Sequence, residues 1–292
     1  MDFLSPLKGC SGLIAFFTEQ GPFRPNRNGS LSLNPYAWNQ KSNIVFIESP
    51  TGVGFSYSHE VEDLASGDDS TAHDNYNLIL TFLERFPEYK THPIYLTSES
   101  YGGHYIPTLA KVIADHNKSP ALNKTTINLK GLAIGNPYTD VYSGTPAMID
   151  TFWGHQLISW PLYNAYKSVC TVSPTSDLCA TFEDKAFTGI GNLNPYALDF
   201  PVCASKSSSQ NRAVNEVGDV ENYRRGRRDQ RLWLLHHIYG HLPESERRAL
   251  SIPVIQEYEP CEDDWTVTYL ANADVKKAIH VKEDIIWSAC SK

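Results

Sequence analysis

Residues 94–107 read Ile94-Tyr-Leu-Thr-Ser-Glu-Ser100-Tyr-Gly-Gly-His-Tyr-Ile-Pro107. Ile94 to Thr97 is a short apolar run with β-leaning residues, which predicts a buried strand. Beyond Gly103, the apolar residues Ile106, Leu109, Ala110 and Ile113 fall at i, i+3, i+4 and i+7, the stripe of an amphipathic helix. Between them stands Ser98-Glu99-Ser100-Tyr101-Gly102, a near match to G-x-S-x-G. In that turn a serine hydroxyl is exposed on a sharp, strained bend between strand and helix, and its neighbours must be tiny. Gly102 and Gly103 meet that need on one side, while Ser98 replaces the first glycine and adds one small group. Taken alone, four small residues between a strand and a helix also suit an ordinary βα turn. Pro107 removes one ladder hydrogen bond and predicts a bend in the first turns of the helix.

Working outward, Asn43-Ile-Val-Phe-Ile-Glu48 reads as a strand, and the Gly- and Pro-containing stretch after Glu48 marks a loop at its carboxyl end. Open α/β sheets place their sites at that end. Asp68 to Phe86 reads as a helix with Asn75, Leu78, Ile79, Phe82, Leu83 and Phe86 on one face, closed by Pro87. The helix after Ser100 runs to about His116, and Ile127 to Ile134 forms another strand ending in Gly135-Asn136-Pro137. Strands alternating with helices of this length predict a parallel sheet with right-handed crossovers. From Ser143 the pattern changes to helical segments (Met148 to Ile158, Leu162 to Val169), short cysteine loops and a Gly/Asn/Pro stretch at 189–195. These read as an insertion. Residues 205–231, with Arg224-Arg-Gly-Arg-Arg-Asp-Gln-Arg231, read as a solvated, mobile basic loop. Asn272 to His280 returns to helix, with Val275, Ala278 and Ile279 as its apolar face. The expected division is a core at 1–142, an insertion at 143–257 and a return to the core at 258–292.

Composition narrows the function classes. The 292 residues are 41% hydrophobic and 20% charged, as in a globular protein, and a net charge of -8 argues against a nucleic-acid surface. No run approaches the roughly 20 apolar residues a membrane helix needs. The six cysteines stand at 10, 170, 179, 203, 261 and 290, with no C-x-x-C pair and no histidines clustered among them, so no metal site is expected. Spacing alone leaves fifteen pairings open. Sequons at Asn28, Asn117 and Asn123, beside an even cysteine count, favour the secretory pathway. Met1 to Lys8 has an acidic second residue, a proline and no apolar core, so it is no signal peptide, and the start of the natural chain is expected to be missing.

Set beside Gly9-Cys-Ser-Gly-Leu13 and Glu48-Ser-Pro-Thr-Gly-Val-Gly-Phe-Ser-Tyr57, the turn at Ser100 resembles that of the serine carboxypeptidases. Those enzymes are α/β-hydrolases with a mainly parallel sheet, helices on both faces and a helical insertion. Further similarities are Phe17-Thr-Glu-Gln-Gly-Pro-Phe23, Gly131-Leu-Ala-Ile-Gly-Asn136, His155-Gln-Leu-Ile-Ser159, Tyr258-Glu-Pro-Cys-Glu262 and Val275-Lys-Lys-Ala-Ile-His-Val281. They follow the family's order along the chain, except at about 205–250. The resemblance implies that Ser100 is the acyl-forming nucleophile and that the backbone N–H of Tyr101 is one oxyanion donor. It implies that Glu99 and Glu19 hold the substrate's C-terminal carboxylate, one of them protonated at acidic pH. It pairs Cys10 with Cys290, Cys170 with Cys179, and Cys203 with Cys261, and it makes Arg224 to Arg231 a candidate cutting site for a two-chain form. The expected substrate is a peptide or protein C-terminus, with no cofactor, no nucleic acid and no membrane, in a vacuolar, lysosomal or extracellular setting; a homodimer is left open.

Two departures stand out. Ser5-Pro6-Leu7-Lys8-Gly9-Cys10-Ser11 replaces the family's Asn-Gly-Gly-Pro-Gly-Cys-Ser, so Leu7 takes the place of the glycine that gives the second oxyanion N–H, and Pro6 has no N–H to give. The simplest account is an unrelated or mis-spliced start. None of the ten histidines matches the family's base, and its acid and histidine follow the segment that matches 275–290. The sheet is therefore expected to be incomplete, with exposed edges that leave the chain alone marginal in stability. The alternatives to a peptidase are a non-catalytic glycoprotein of the same fold and an acyltransferase.

Overall fold

A computed structural model describes residues 2–5, 10–118, 125–140, 142–194, 198, 200, 202–203 and 260–290. Leu7, Asn123 and the basic loop 205–231 lie outside these residues. The chain divides into two compact units, Met1–Leu193 with Glu262–Lys292, and Asn194–Cys261.

In chain order the strands are β1 (Asp2–Ser5), β2 (Phe23–Pro25), β3 (Leu31–Leu33), β4 (Ile44–Phe46), β5 (Ile94–Glu99) and β6 (Leu129–Gly135). The main helices are α1 (Asp68–Arg85), α2 (Gly102–Lys118), α3 (Gly144–Gly154), α4 (Trp160–Cys170), α5 (Asp177–Gly189), α6 (Glu262–Leu270) and α7 (Ala273–Ala278). Four strands form one sheet in the order β4-β1-β5-β6, every pair parallel, and β2 and β3 form a separate antiparallel hairpin. The α/β class with a parallel sheet is as the alternation of elements implies.

The start of the chain adds a strand that the sequence does not announce. Asp2–Ser5 lies inside the sheet, with Phe3 beside Val45 on one side and Leu96 on the other. Its Asp-Phe-Leu-Ser has only two apolar residues, so no period marks it as a strand.

The core follows the periodicities. Ile94 and Leu96, alternating on β5, meet Ile79 and Leu83 of α1 and Ile106, Leu109 and Ile113 of α2 in one buried cluster. Pro107 does not interrupt α2, and Thr108 Oγ1 donates to the carbonyl oxygens of His104 and Tyr105 in the preceding turn. Among the described residues β6 forms one edge of the sheet, where Leu132 is 47% exposed and, on the adjoining β5, Tyr95 is 42% exposed. Helices α3, α4 and α5 build a second core around Ile149, Phe152, Tyr166 and the Cys170–Cys179 disulfide. The segment carrying Cys179 had read as a loop, but its Leu178, Phe182, Ala186 and Phe187 lie on a helix capped by Ser176, whose Oγ accepts from Cys179 N at 3.2 Å. The other two disulfides join Cys10 to Cys290 and Cys203 to Cys261, the pairing that the resemblance implies.

Two sequons fall in described segments, and they differ. Asn28 is exposed at the tip of the β2–β3 hairpin, where its Oδ1 accepts from Ser30 N and Ser30 Oγ. Asn117 is turned inward. Its Nδ2 donates to Ile127 O at 2.8 Å and its Oδ1 accepts from Ile127 N at 3.1 Å, closing the end of α2 onto the approach to β6. Removing both bonds exposes a buried backbone pair, so Asn117→Ala is expected to lower unfolding free energy by about 1–3 kcal/mol in urea titrations, against about 0.5 or less for Asn28→Ala. Equal effects would mean that the Asn117 bridge contributes nothing.

Candidate active site

At the carboxyl end of β5 the backbone turns through Ser100, whose φ of 50° lies in the left-handed region that non-glycine residues rarely enter. Three backbone bonds hold it there: Ser100 N donates to Gly135 O at 3.1 Å, while Ser100 O accepts from Gly103 N at 3.0 Å and Tyr138 N at 2.7 Å. The flanking glycines follow from crowding. A Cβ on Gly102 would overlap the Ser98 side chain, and one on Gly103 would overlap the Tyr138 carbonyl oxygen. Ser98 is thus accommodated where the pattern has glycine, because Gly102 yields the space. Its buried Oγ finds no hydrogen-bond partner among the described residues.

Beneath the turn, the Tyr101 side chain is fixed on several sides. Its ring stacks on His104 with centroids 4.6 Å apart and meets Tyr105 edge-on at 5.1 Å. Its Oη donates to Asp68 Oδ1 at 3.2 Å, and burial followed by the Asp68 charge pushes its pKa up to about 12. His104 Nδ1 lies 3.3 Å from Asp68 Oδ2, tying α2 to the first turn of α1. No local sequence pattern marks the Asp68–Tyr101–His104 arrangement, because Asp68 comes from α1 and meets Tyr101 and His104 only after folding.

Glu99, the residue before the serine, acts on Glu19 through its charge and a side-chain hydrogen bond. Glu19 closes a π-helical turn, Ala15–Glu19, which continues a short helical turn capped by Ser11. Such turns occur often at functional sites. Burial first, then the charge and hydrogen bond of Glu99, raise the Glu19 pKa from an ordinary 4.5 to about 7, against smaller lowering effects of Gln20 and Arg24. Glu19 therefore keeps its proton well above the usual carboxylate range. Glu19 Oε2, Gln20 Oε1 and Arg24 Nε are buried and meet no hydrogen-bond partner among the described residues. Gln20 and Arg24 were not among the residues singled out in the sequence; an amide and a guanidinium flanking a lone loop acid carry no motif.

The loop after β4 is held by Glu48. Its Oε1 accepts from Ser11 Oγ and, at 3.0 Å, from Trp287 Nε1, and its Oε2 accepts from Phe55 N at 2.7 Å. The backbone of Ser11 also donates to Ala289 O at 2.7 Å, beside the Cys10–Cys290 disulfide.

A parallel sheet with a strained serine at the carboxyl end of its β5 strand, followed at once by a glycine-led helix, defines an α/β-hydrolase-type protein with a nucleophile elbow. The serine carboxypeptidase family model matches residues 8–292, and the chain belongs to that family. Serine carboxypeptidase-like 25 of Arabidopsis thaliana is 38% identical over 293 aligned residues, and Serine carboxypeptidase 24 of the same plant is 34% identical. Each alignment covers 97% of this chain and 57% of the relative, so the chain spans little more than half the length of these proteins. Among solved structures, Kex1(delta)p, a prohormone-processing carboxypeptidase from Saccharomyces cerevisiae, matches with a TM-score of 0.64 at 20% identity, over 100% of this chain and 58% of the other. That likeness shows the fold.

Proposed function

We propose that this chain carries the acyl-forming and carboxylate-binding parts of a serine-type carboxypeptidase site. Ser100 Oγ adds to the carbonyl carbon of the last peptide bond, and Tyr101 N–H donates to the oxygen that becomes negative. The C–N bond then breaks as the Ser100 proton passes to the leaving nitrogen, the C-terminal residue departs as an amine, and water adds its hydroxyl to the acyl carbon and its proton to Ser100 Oγ, releasing the shortened peptide. Glu19 and Glu99 supply the selectivity for a free C-terminus: while they share a proton, one carboxyl donates a hydrogen bond to the substrate's carboxylate instead of repelling it. The observation that carries this reading is the meeting of Glu19 with Glu99 immediately beside the elbow serine. The buried oxygen Glu19 Oε2, with no partner among the described residues, supports it.

The same pair explains a preference for acidic compartments, and three closed disulfides fit passage through an oxidising one. Within that reading, Asn28 rather than Asn117 is the described sequon open to a glycan. None of the ten histidines matches the family's base, so the reading assigns no base to this chain. A fluorophosphonate probe tests it. The folded, full-length natural protein should be labelled, and Ser100→Ala should abolish the label. Labelling that ignores Ser100, or none at all, leaves the non-catalytic glycoprotein reading.

A further inference from the structure

A carboxyl pair works only if both members are held, and Glu19 sits at the end of a π-helical turn whose last carbonyls need outside donors. Arg24, on β2, supplies them. Its Nη1 donates to Thr18 O and its Nη2 donates to Glu19 O at 2.9 Å, while Nη1 also meets Glu262 Oε1 at 3.2 Å. Asn34 Nδ2 adds a second donor to Glu19 O at 3.2 Å and reaches Gly21 O at 2.8 Å. The Arg24 side chain is only 18% exposed, so this is a packed clamp and not a surface contact. A planar fork spanning two successive carbonyls is a geometry that a lysine ammonium does not reproduce.

We infer that Arg24 is a positioning residue for the carboxylate subsite, its guanidinium fixing the Thr18–Glu19 backbone so that the Glu19 carboxyl meets Glu99. The inference rests on the reading of Glu19 and Glu99 as the subsite for a peptide's free carboxylate. Among the described residues, the charged groups that act on Glu19 are Glu99 at the end of β5 and Arg24 on β2; α6, which packs against β2 and the π-helical turn, carries Glu262, Asp263 and Asp264 in its first turn. Gln20 contributes a neutral hydrogen bond. Of the α6 acids, Glu262 is the one that pairs with Arg24. Arg24 therefore acts in two separable ways, through its fork and through its charge.

The test is equilibrium binding in the full-length chain carrying Ser100→Ala, which prevents turnover. Calorimetric titrations with a blocked dipeptide bearing a free C-terminal carboxylate, and with its C-terminal amide, run from about pH 4 to about pH 8, across the ordinary and shifted carboxyl values. The acid peptide should bind best at low pH and weaken as the shared proton leaves. Arg24→Lys keeps the charge and loses the fork, so acid-peptide binding should weaken about tenfold at every pH with its midpoint unmoved. Arg24→Met loses both, so binding weakens and the midpoint also moves to higher pH. Glu262→Gln leaves the carbonyl clamp in place, so low-pH affinity holds while the midpoint moves lower.

Arg24 variants that bind the acid peptide like the parent, with the same midpoint, overturn the inference. So does an equal loss of acid and amide binding accompanied by a lower melting temperature, which marks a merely structural role. Glu19→Gln separates the two levels: if it leaves the preference for acid over amide intact, the subsite reading itself fails and the inference with it. If Glu19→Gln removes the preference while Arg24 variants do not, only the inference fails.

Discussion

Cys10→Ser together with Cys290→Ser is expected to lower unfolding free energy by about 5 kcal/mol, enough to leave much of the population unfolded in a protein of ordinary stability. The bridge closes a loop of 280 residues, and in the chain-entropy account the constraint on the unfolded state grows with the logarithm of that length. The same account gives about 3 kcal/mol for Cys170→Ser with Cys179→Ser, where the separation is 9. Local contacts add to the larger value. Ser11, next to Cys10, donates to Glu48, caps the helical turn that starts at Gly12, and bonds through its backbone to Ala289. Trp287, three residues before Cys290, donates to the same Glu48 oxygen. Opening the bridge loosens both partners of a carboxylate that also holds Phe55 N in the loop after β4. Urea denaturation of the two double variants checks this. Equal losses would mean that local packing, and not loop closure, sets the contribution of the longer bridge.

Periodicity predicted the elements where a single rule governs burial. Ile106, Leu109 and Ile113 lie on the buried face of α2 as their spacing requires, and Ile94 and Leu96 alternate into the same core. The rule weakens at element margins. Leu78 and Phe86, expected on the inner face of α1, are 37% and 39% exposed, while Ala72 and Tyr76 fill the interior in their place. A helix packed on both a sheet and a neighbouring helix buries an arc that its apolar residues alone do not outline. In α7 the exception is sharper: Ile279, expected inside, is 44% exposed, and Lys276 is buried. Its Nζ donates to the carbonyl oxygens of Glu283 and Ile285 at 3.1 and 2.6 Å, satisfying loop carbonyls that no periodic pattern reveals.

At the site, the bend at Ser100 was readable because its requirement is local: a small residue on each side of a strained serine. Glu19 was not readable from residue chemistry, since a lone acid in a loop carries no period and its partner is 80 residues away in sequence. Only the resemblance to a family joined it to Glu99. Arg24 escaped both routes, because what matters about it is which backbone carbonyls it reaches after folding.

The acid pair also makes stability depend on pH, in a direction opposite to that of a salt-bridged carboxylate. Folding raises the Glu19 pKa to about 7 by burial and by the nearness of Glu99. Below the ordinary value of 4.5 both folded and unfolded chains hold the proton, and the buried group imposes no penalty. As pH climbs from about 4.5 towards about 7, the unfolded chain releases the proton first, so unfolding becomes progressively easier. Above about 7 Glu19 is charged in the folded chain as well and the penalty is complete, on the order of 3 kcal/mol. Glu19→Gln removes the titration while keeping the shape. That variant should match the parent near pH 4 and exceed its unfolding free energy by about 3 kcal/mol near pH 8, with a flatter profile between. Glu99→Gln should flatten the profile in part, because burial, the larger cause, remains on Glu19. A Glu19→Gln profile that falls with pH as steeply as the parent's would show that Glu19 does not hold its proton above the ordinary range, and would remove the physical basis for an acid-dependent grip on a peptide's free end.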